Sequence, residues 1–372
     1  MTHVKFGEIV VRANTKEDRN DTDLIYYVGG EHIDTGELQV IKRGIIKDST
    51  IGPMFYFGFK KGQVLLASRS PDLKKAGIAT FDGICSEKTF VIETVNEEVM
   101  LQDFLPIVVR SEKFWRFADE NKSGSVNYFI NWTTFAKYEF ELPELEIQRK
   151  ICSVIWAAES EKQAVINAIE SAKMYRNALM HEILSKDVAE KVPLCHYCYL
   201  VKDKYNGENE GIKAIELDCM DQGTGNLLKV NESITGGSGY TEFLPGDTLF
   251  GKLRPYLRKY YYSDFEGICC NEIWALRNTS EALSKFVFYL ISSEDFIEHN
   301  NNMTFGTKMP RTSWKIANEF CISKFTLDEQ QEYVDRLDVI TTSIESLNST
   351  LDELNAYLYE CINSTETEVW NV

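Results

Sequence analysis

No stretch of this 372-residue chain approaches the roughly 18 consecutive apolar residues that cross a bilayer. The opening residues, MTHVKFGEIVVRANTKED, hold no apolar segment of signal-peptide length. A cytoplasmic protein that makes no membrane contact is expected. Cysteine is sparse and odd in number, nine in all, which argues against a disulfide framework and for reduced core thiols. Asn-x-Ser/Thr sequons such as those at Asn131, Asn231, Asn278 and Asn348 accordingly predict no glycans. Positive charge is also short: 40 Lys and Arg stand against 57 Asp and Glu, a net charge of −17. Phosphate neutralisation supplies most non-specific nucleic-acid affinity, so this balance argues at first against a DNA or RNA partner. The deficit is local, however. From Asp328 onward eleven acidic residues face one basic residue, Arg336, so −10 of the −17 sits in one terminal segment and only −7 in the rest.

Motifs that carry catalysis are equally scarce. There is no Asn-Pro-Pro-Tyr element of the kind amino-methyltransferases use, and no G-x-G-x-x-G dinucleotide fingerprint. Gly236-Gly237-Ser238-Gly239 lacks the Gly-Lys-Ser/Thr ending of a phosphate loop and reads as a turn. Cys195-His196-Tyr197-Cys198 is a C-x-x-C without a second ligand pair at finger-like spacing, so core thiols are expected rather than a metal. Pro71-Asp72 followed by Glu87-Lys88 resembles a nuclease PD-(D/E)xK site, but Glu and Lys are adjacent rather than one residue apart. A non-enzyme is expected, with no catalytic residue and no metal site.

What the chain does have is ordinary globular composition, 44% hydrophobic and 26% charged, and one internal repeat. Residues 59–90 align without a gap on 243–274 at a constant offset of 184. Gly62 falls on Gly246, Pro71 on Pro255, Lys75 on Lys259, and Gly83-Ile84-Cys85 on Gly267-Ile268-Cys269. Farther on the offset becomes 182, placing Ser111 on Ser293, Phe114 on Phe296, Gly124 on Gly306, Trp132 on Trp314 and Gln148 on Gln330. Each half opens with β-rich segments such as QVLLAS, TFVIET, DTLFGK and EIWALR. Each half ends in a helical pattern.

In the first helix apolar-type positions recur at Ile151, Ile155, Ala158, Val165, Ile169, Ala172, Leu179 and Ile183, in a 4-3 alternation interrupted by Lys162 and Arg176. The second has Leu337, Ile340, Ile344, Leu347, Leu351, Leu354, Leu358 and Cys361 in the same alternation, offset by 182 from Ile155 onward. Such spacing makes a coiled-coil seam, and the two helices are expected to pair with each other. At 1.5 Å per residue the seam is about 50 Å long. The expected division is a first domain 1–143, a central helix 144–186, a second domain 187–327, a C-terminal helix 328–364 and a tail 365–372. The fold class is mixed α/β (α+β).

Basic strips are the best binding candidates: Arg69, Lys74 and Lys75 in the first half, and Lys252, Arg254, Arg258 and Lys259 with Tyr256 in the second. Dense positive charge suits a phosphate backbone, and Arg can also read guanine edges. The plainer alternative is the solvated face of a hairpin. Two loops at equivalent positions, 122–132 and 304–314, add Lys122, Ser125 and Asn127, and Thr307, Lys308 and Arg311. Polar loops on a rigid scaffold commonly carry recognition.

The strip GDTLFGKLRPYLRKYYYSDFEGICCNEIWAL, the INW element before ELPELEIQRKI, and a long helix after each domain resemble the specificity subunits of type I restriction-modification systems. The resemblance covers nearly the whole chain and repeats in both halves. It implies two target-recognition domains separated by a pair of long antiparallel coiled-coil helices, each domain reading part of a split double-stranded DNA target. It further implies two methyltransferase (modification) subunits docked on the helices, with restriction subunits possible, and S-adenosylmethionine, ATP and Mg on those partners rather than on this chain. The second half departs from the pattern: KFTLDEQQEYV stands where the first has LPELEIQRKI, without its proline and basic pair. Two alternatives stay open, a recognition subunit of a methylation-only or other defence complex, and a coiled-coil scaffold that never meets DNA.

Overall fold

The computed structural model describes residues 1–186, 190–207, 211–232, 239–304 and 308–364. They form two compact units, Met1–Ile166 with the stretch from Thr350, and Asn167–Ser349.

Unit 1 is built on a five-stranded sheet in the order Val10–Ala13, Thr89–Thr94, Val64–Ala67, Ala76–Ala79, Gln39–Val40. A four-stranded sheet, Gly44–Ile45, Tyr26–Val28, Gly83–Ser86, Phe55–Phe59, lies against it. Side chains of a strand alternate between faces, and both faces are covered here. Val64 and Leu66 enter a large core with Phe104, Phe114 and Trp115, while Leu65 enters a smaller one between the sheets with Phe57, Phe59 and Cys85. That is why QVLLAS is apolar at consecutive positions instead of alternating. Burying each such side chain contributes about 1.5–3 kcal/mol.

Unit 2 repeats this plan. Its four-stranded sheet runs Cys198–Leu200, Ile273–Asn278, Thr248–Gly251, Tyr260–Tyr262, and a three-stranded sheet runs Ala214–Ile215, Gly267–Cys269, Thr241–Phe243. The same alternation holds, with Phe250 in the large core and Leu249 in the small one. The correspondence extends into the first sixty residues of each half, where the sequences align poorly. Tyr26–Val28 pairs in parallel with Gly83–Ser86, and Ala214–Ile215 in parallel with Gly267–Cys269. Thr2–Lys5 pairs with Glu139–Leu142, and Lys191–Pro193 with Cys321–Ser323.

Two long helices follow, α1 (Leu145–Ser185) and α2 (Leu327–Ser364). A buried glutamine ties the first turn of each to the unit before it. The Gln148 side chain accepts from Leu101 N and donates to Val99 O and Pro143 O, at 2.8–2.9 Å. Gln330 does the same with Leu283 N, Glu281 O and Phe325 O, at 2.9–3.1 Å. Thr326 and Glu329 cap α2 reciprocally. All the acidic residues from Asp328 to Glu360 lie on α2.

The helices pair antiparallel. In unit 1 the start of α1, with Cys152, Ile155 and Ala158 and the flanking Ile151, shares a core with Leu358 and Ile362 near the end of α2. In unit 2 Leu179 and Ile183 share a core with Val334, Leu337 and Ile340. Ile169 and Ile344 are buried, whereas Val165, Leu347, Leu351 and Leu354 are half-buried. All nine cysteines carry free thiols. Cys198 sits in the unit 2 core and Cys195 is exposed. Of the glycine-rich segment, 236–238 lies outside the described residues.

Candidate nucleic-acid interface

Each basic strip begins where a central strand ends and the chain makes a strained turn. In unit 1 Ser70 and Lys74 hold left-handed φ of 50° and 48° around the single helical turn Pro71–Leu73; in unit 2 Arg254 and Arg258, both at 52°, flank Pro255–Leu257. Residues with a Cβ enter this region at about 1–2 kcal/mol each. Such strain persists only where the surroundings hold it, and it concentrates at functional sites. Proline fixes φ at the first position of the turn, and backbone bonds close it in both copies, Leu73 N to Ser70 O and Leu257 N to Arg254 O.

Four of the strip cations hold this turn in place. Lys74 Nζ lies 2.6 Å from a Glu112 carboxylate oxygen, and Arg258 is paired with Glu294, the repeat equivalent. Lys75 Nζ donates to Gly30 O and Lys259 Nζ to Leu217 O, both at 2.5 Å, tying the turn to equivalent short helical turns, Gly30–His32 and Leu217–Cys219. Arg110 Nη1 adds a bond to Lys74 O at 3.3 Å. Sequence spacing pointed to these four as ligand contacts, and the structure gives them intramolecular partners as well. The pairing carboxylates escaped the motif reading, although Glu112 and Glu294 stand at the same offset of 182.

The structure brings each strip together with its loop. In unit 1 Ile130 N donates to Ser68 O and Ser70 N to Tyr128 O, so that Arg69 and Phe129 form a bridge; in unit 2 Thr312 N donates to Lys252 O and Arg254 N to Pro310 O, bridging Leu253 and Arg311. These bridges are equivalent under the two offsets. The site in unit 1 is therefore a strained basic turn laced to a hairpin, and in unit 2 the same turn is laced to the segment 308–312.

Side-chain placement within the sites varies. Arg69, Ser125, Asn127, Tyr256, Arg258 and Lys308 are exposed; Lys74, Lys75, Lys122, Lys252, Arg254, Lys259 and Arg311 are half-buried. Thr307 lies outside the described residues. Lys122 sits 4.5 Å over the Tyr128 ring and 2.5 Å from Asp119, whose hydrogen bond raises the ammonium's pKa. Arg311 chelates Glu272 at 2.9–3.2 Å, which lowers the carboxyl's pKa and raises the guanidinium's. The nuclease-like pair is tied up elsewhere: Glu87 is held by Lys88 at 2.5 Å and by Tyr56, and its pKa is lowered chiefly by the Lys88 contact.

Unit 1 also carries a charged cluster where α1 meets the sheet. Lys162, a seam position, is 2% exposed and bonds Glu37 at 2.6 Å, with Glu159 at 3.9 Å. Glu159 is fully buried and accepts from Gln39 and Gln163 through Oε1, while Oε2 accepts no hydrogen bond and faces Lys162 only at ion-pair distance. Burial raises its pKa, opposed by Lys162. Lys162 stood out in the sequence only as a break in the seam.

Two α/β units with one sheet plan, each followed by a long helix of an antiparallel pair, define a duplicated α/β scaffold. This is the fold of type I restriction-modification S subunits. The S subunit from M. genitalium superposes with a TM-score of 0.63 over 97% of this chain and 96% of that one, at 11% identity. A chain from a structure of type I R-M complex assembly gives 0.56 over 97% of each chain, at 18% identity. In sequence, the chain is similar to the Escherichia coli type I restriction enzyme EcoDI specificity subunit, 25% identical over 118 residues. That match spans 31% of this chain and about a quarter, 26%, of the relative. No protein-family model matches the chain.

Proposed function

We propose that this chain is the DNA-specificity subunit of a type I restriction-modification complex. It is a non-catalytic protein that reads a bipartite, asymmetric duplex target and positions methyltransferase and restriction subunits. The observation that carries this reading is the repeated site. The same strained turn, bridged to the equivalent segment of the chain, recurs in both units of an acidic chain, with the turn's backbone kept and the exposed side chains changed. A kept scaffold with altered presented groups suits two readers of two different short sequences.

Within the strips the roles divide. Lys74, Lys75, Arg258 and Lys259 shape the turn, and the exposed Arg258 can also reach a phosphate. Arg69, Lys122, Ser125 and Asn127 in unit 1, and Lys252, Arg254, Tyr256, Lys308 and Arg311 in unit 2, contact the duplex, with Thr307 a further candidate from the sequence alone. S-adenosylmethionine, ATP and Mg belong to the partner subunits, two of which modify DNA. The similarity to the E. coli specificity subunit and the shared fold support the assignment.

Binding of the assembled complex to target duplex across a salt series tests it. The log of the affinity should fall linearly with log salt, as counterion release requires, and Arg69→Ala with Lys252→Ala should make the slope shallower by about one for each phosphate no longer neutralised. Affinity that is indifferent to salt and sequence would support a scaffold role instead.

A further inference from the structure

The hairpin of unit 1 presents an apolar side chain that the packing of its scaffold does not require. In unit 1 Ser123 and Phe129 exchange backbone hydrogen bonds at 2.8 and 2.9 Å, which closes the hairpin. The loop is tight: Gly124 has φ +102°, and a Cβ there would lie 2.7 Å from Asn127 O. At the tip Val126 is 85% exposed, the most exposed large apolar side chain among the described residues. The offset of 182 places Lys308, also exposed, at the same position of unit 2.

A single exposed valine is ordinary on a protein surface. This one is held on a hairpin whose base is closed on itself and laced to the strained turn, beside the exposed Arg69. A side chain fixed in advance loses little freedom when it meets a ligand. The apolar group displayed on base edges in the major groove is the thymine C5 methyl, whereas a lysine at the same place meets guanine N7 and O6. The neighbours fit a groove as well, since Tyr128 and Phe129 are part-exposed and Asn127 is exposed.

Resting on the specificity-subunit reading, we infer that Val126 is a specificity-determining residue that packs on a thymine methyl in the half-site of unit 1, and that Lys308 donates to a guanine in the half-site of unit 2. The unequal side chains then give the two half-sites different sequences.

The test uses the assembled complex and duplexes carrying its motif, found by sequencing methylated positions. Each thymine of the first half is replaced in turn by deoxyuridine, which removes only the methyl. The wild type should lose about fourfold to tenfold in affinity at one position. Val126→Ala should bind thymine and uracil duplexes alike, and Val126→Ile should keep the discrimination. In the second half, one guanine changed to 7-deazaguanine should weaken the wild type and leave Lys308→Met indifferent. A first half without thymine, uracil tolerated at every position, or a penalty unchanged in Val126→Ala would overturn the assignment of Val126. A deazaguanine penalty that survives in Lys308→Met, or one that never appears, would overturn that of Lys308. If the wild type fails to prefer the intact motif over unrelated duplex, the specificity-subunit reading itself fails.

Discussion

At the scale of single residues, the buried charges of unit 1 set the sharpest expectations. Removing one partner of a buried pair strands the other, at about 3–5 kcal/mol, whereas removing both is often neutral or stabilising. Lys162→Met should therefore lower stability by about that range, and Glu159→Gln added to it should restore part of the loss, in denaturant titrations of the pair and each single variant. Glu159→Gln alone leaves Lys162 its Glu37 partner at 2.6 Å and should stabilise at neutral pH. The sign follows from the direction of the shift. A carboxyl whose folded pKa is raised favours the folded state below the unfolded value, and that contribution is lost as pH rises through the folded value. The wild type should accordingly lose stability relative to Glu159→Gln as pH climbs from about 4.3 toward neutrality.

The turn shows where residue-level reading stops. Sequence marks Lys74, Lys75, Arg258 and Lys259 as cations in a strip, but nothing in Ser70 or Lys74, or in Arg254 or Arg258, announces a left-handed backbone, because these residue types rarely adopt one. Whether a lysine faces solvent or a carbonyl depends on the residues across the fold, here Gly30 and Leu217.

At the scale of elements, the seam was legible because its 4-3 spacing is local and sustained, whereas the antiparallel sense of the pairing comes from the cores the helix ends share, not from the spacing. Burial along it is uneven. Leu337 and Leu358 are buried in cores, while Leu347 and Leu351 are half-buried. Leu337→Ala and Leu358→Ala should each cost about 2–5 kcal/mol, and Leu347→Ala and Leu351→Ala clearly less. Denaturation midpoints across the four variants would check this, and equal losses would contradict the observed burial. The strands were legible where offset 184 holds and illegible before it. Tyr26–Val28 and Ala214–Ile215 take the same place in their sheets with different side chains, since very short strands are placed by pairing and core packing rather than by residue identity.

At the scale of the whole molecule, the charge objection dissolves without any excess of basic residues. The acidic residues from Asp328 to Glu360 lie on α2, while both strips sit at the ends of central strands in the α/β parts of their units. The resemblance in sequence and the shared fold point the same way, and the central claim is that the two units read different halves of one target. The direct measurement is a domain exchange. Residues 1–143 are replaced by the first domain of another specificity subunit, the hybrid is assembled with its modification subunits, and methylated positions are sequenced genome-wide. The account predicts a split, asymmetric motif of which one half changes and the other stays as it was. A continuous or palindromic motif, or a hybrid that alters both halves, would contradict it.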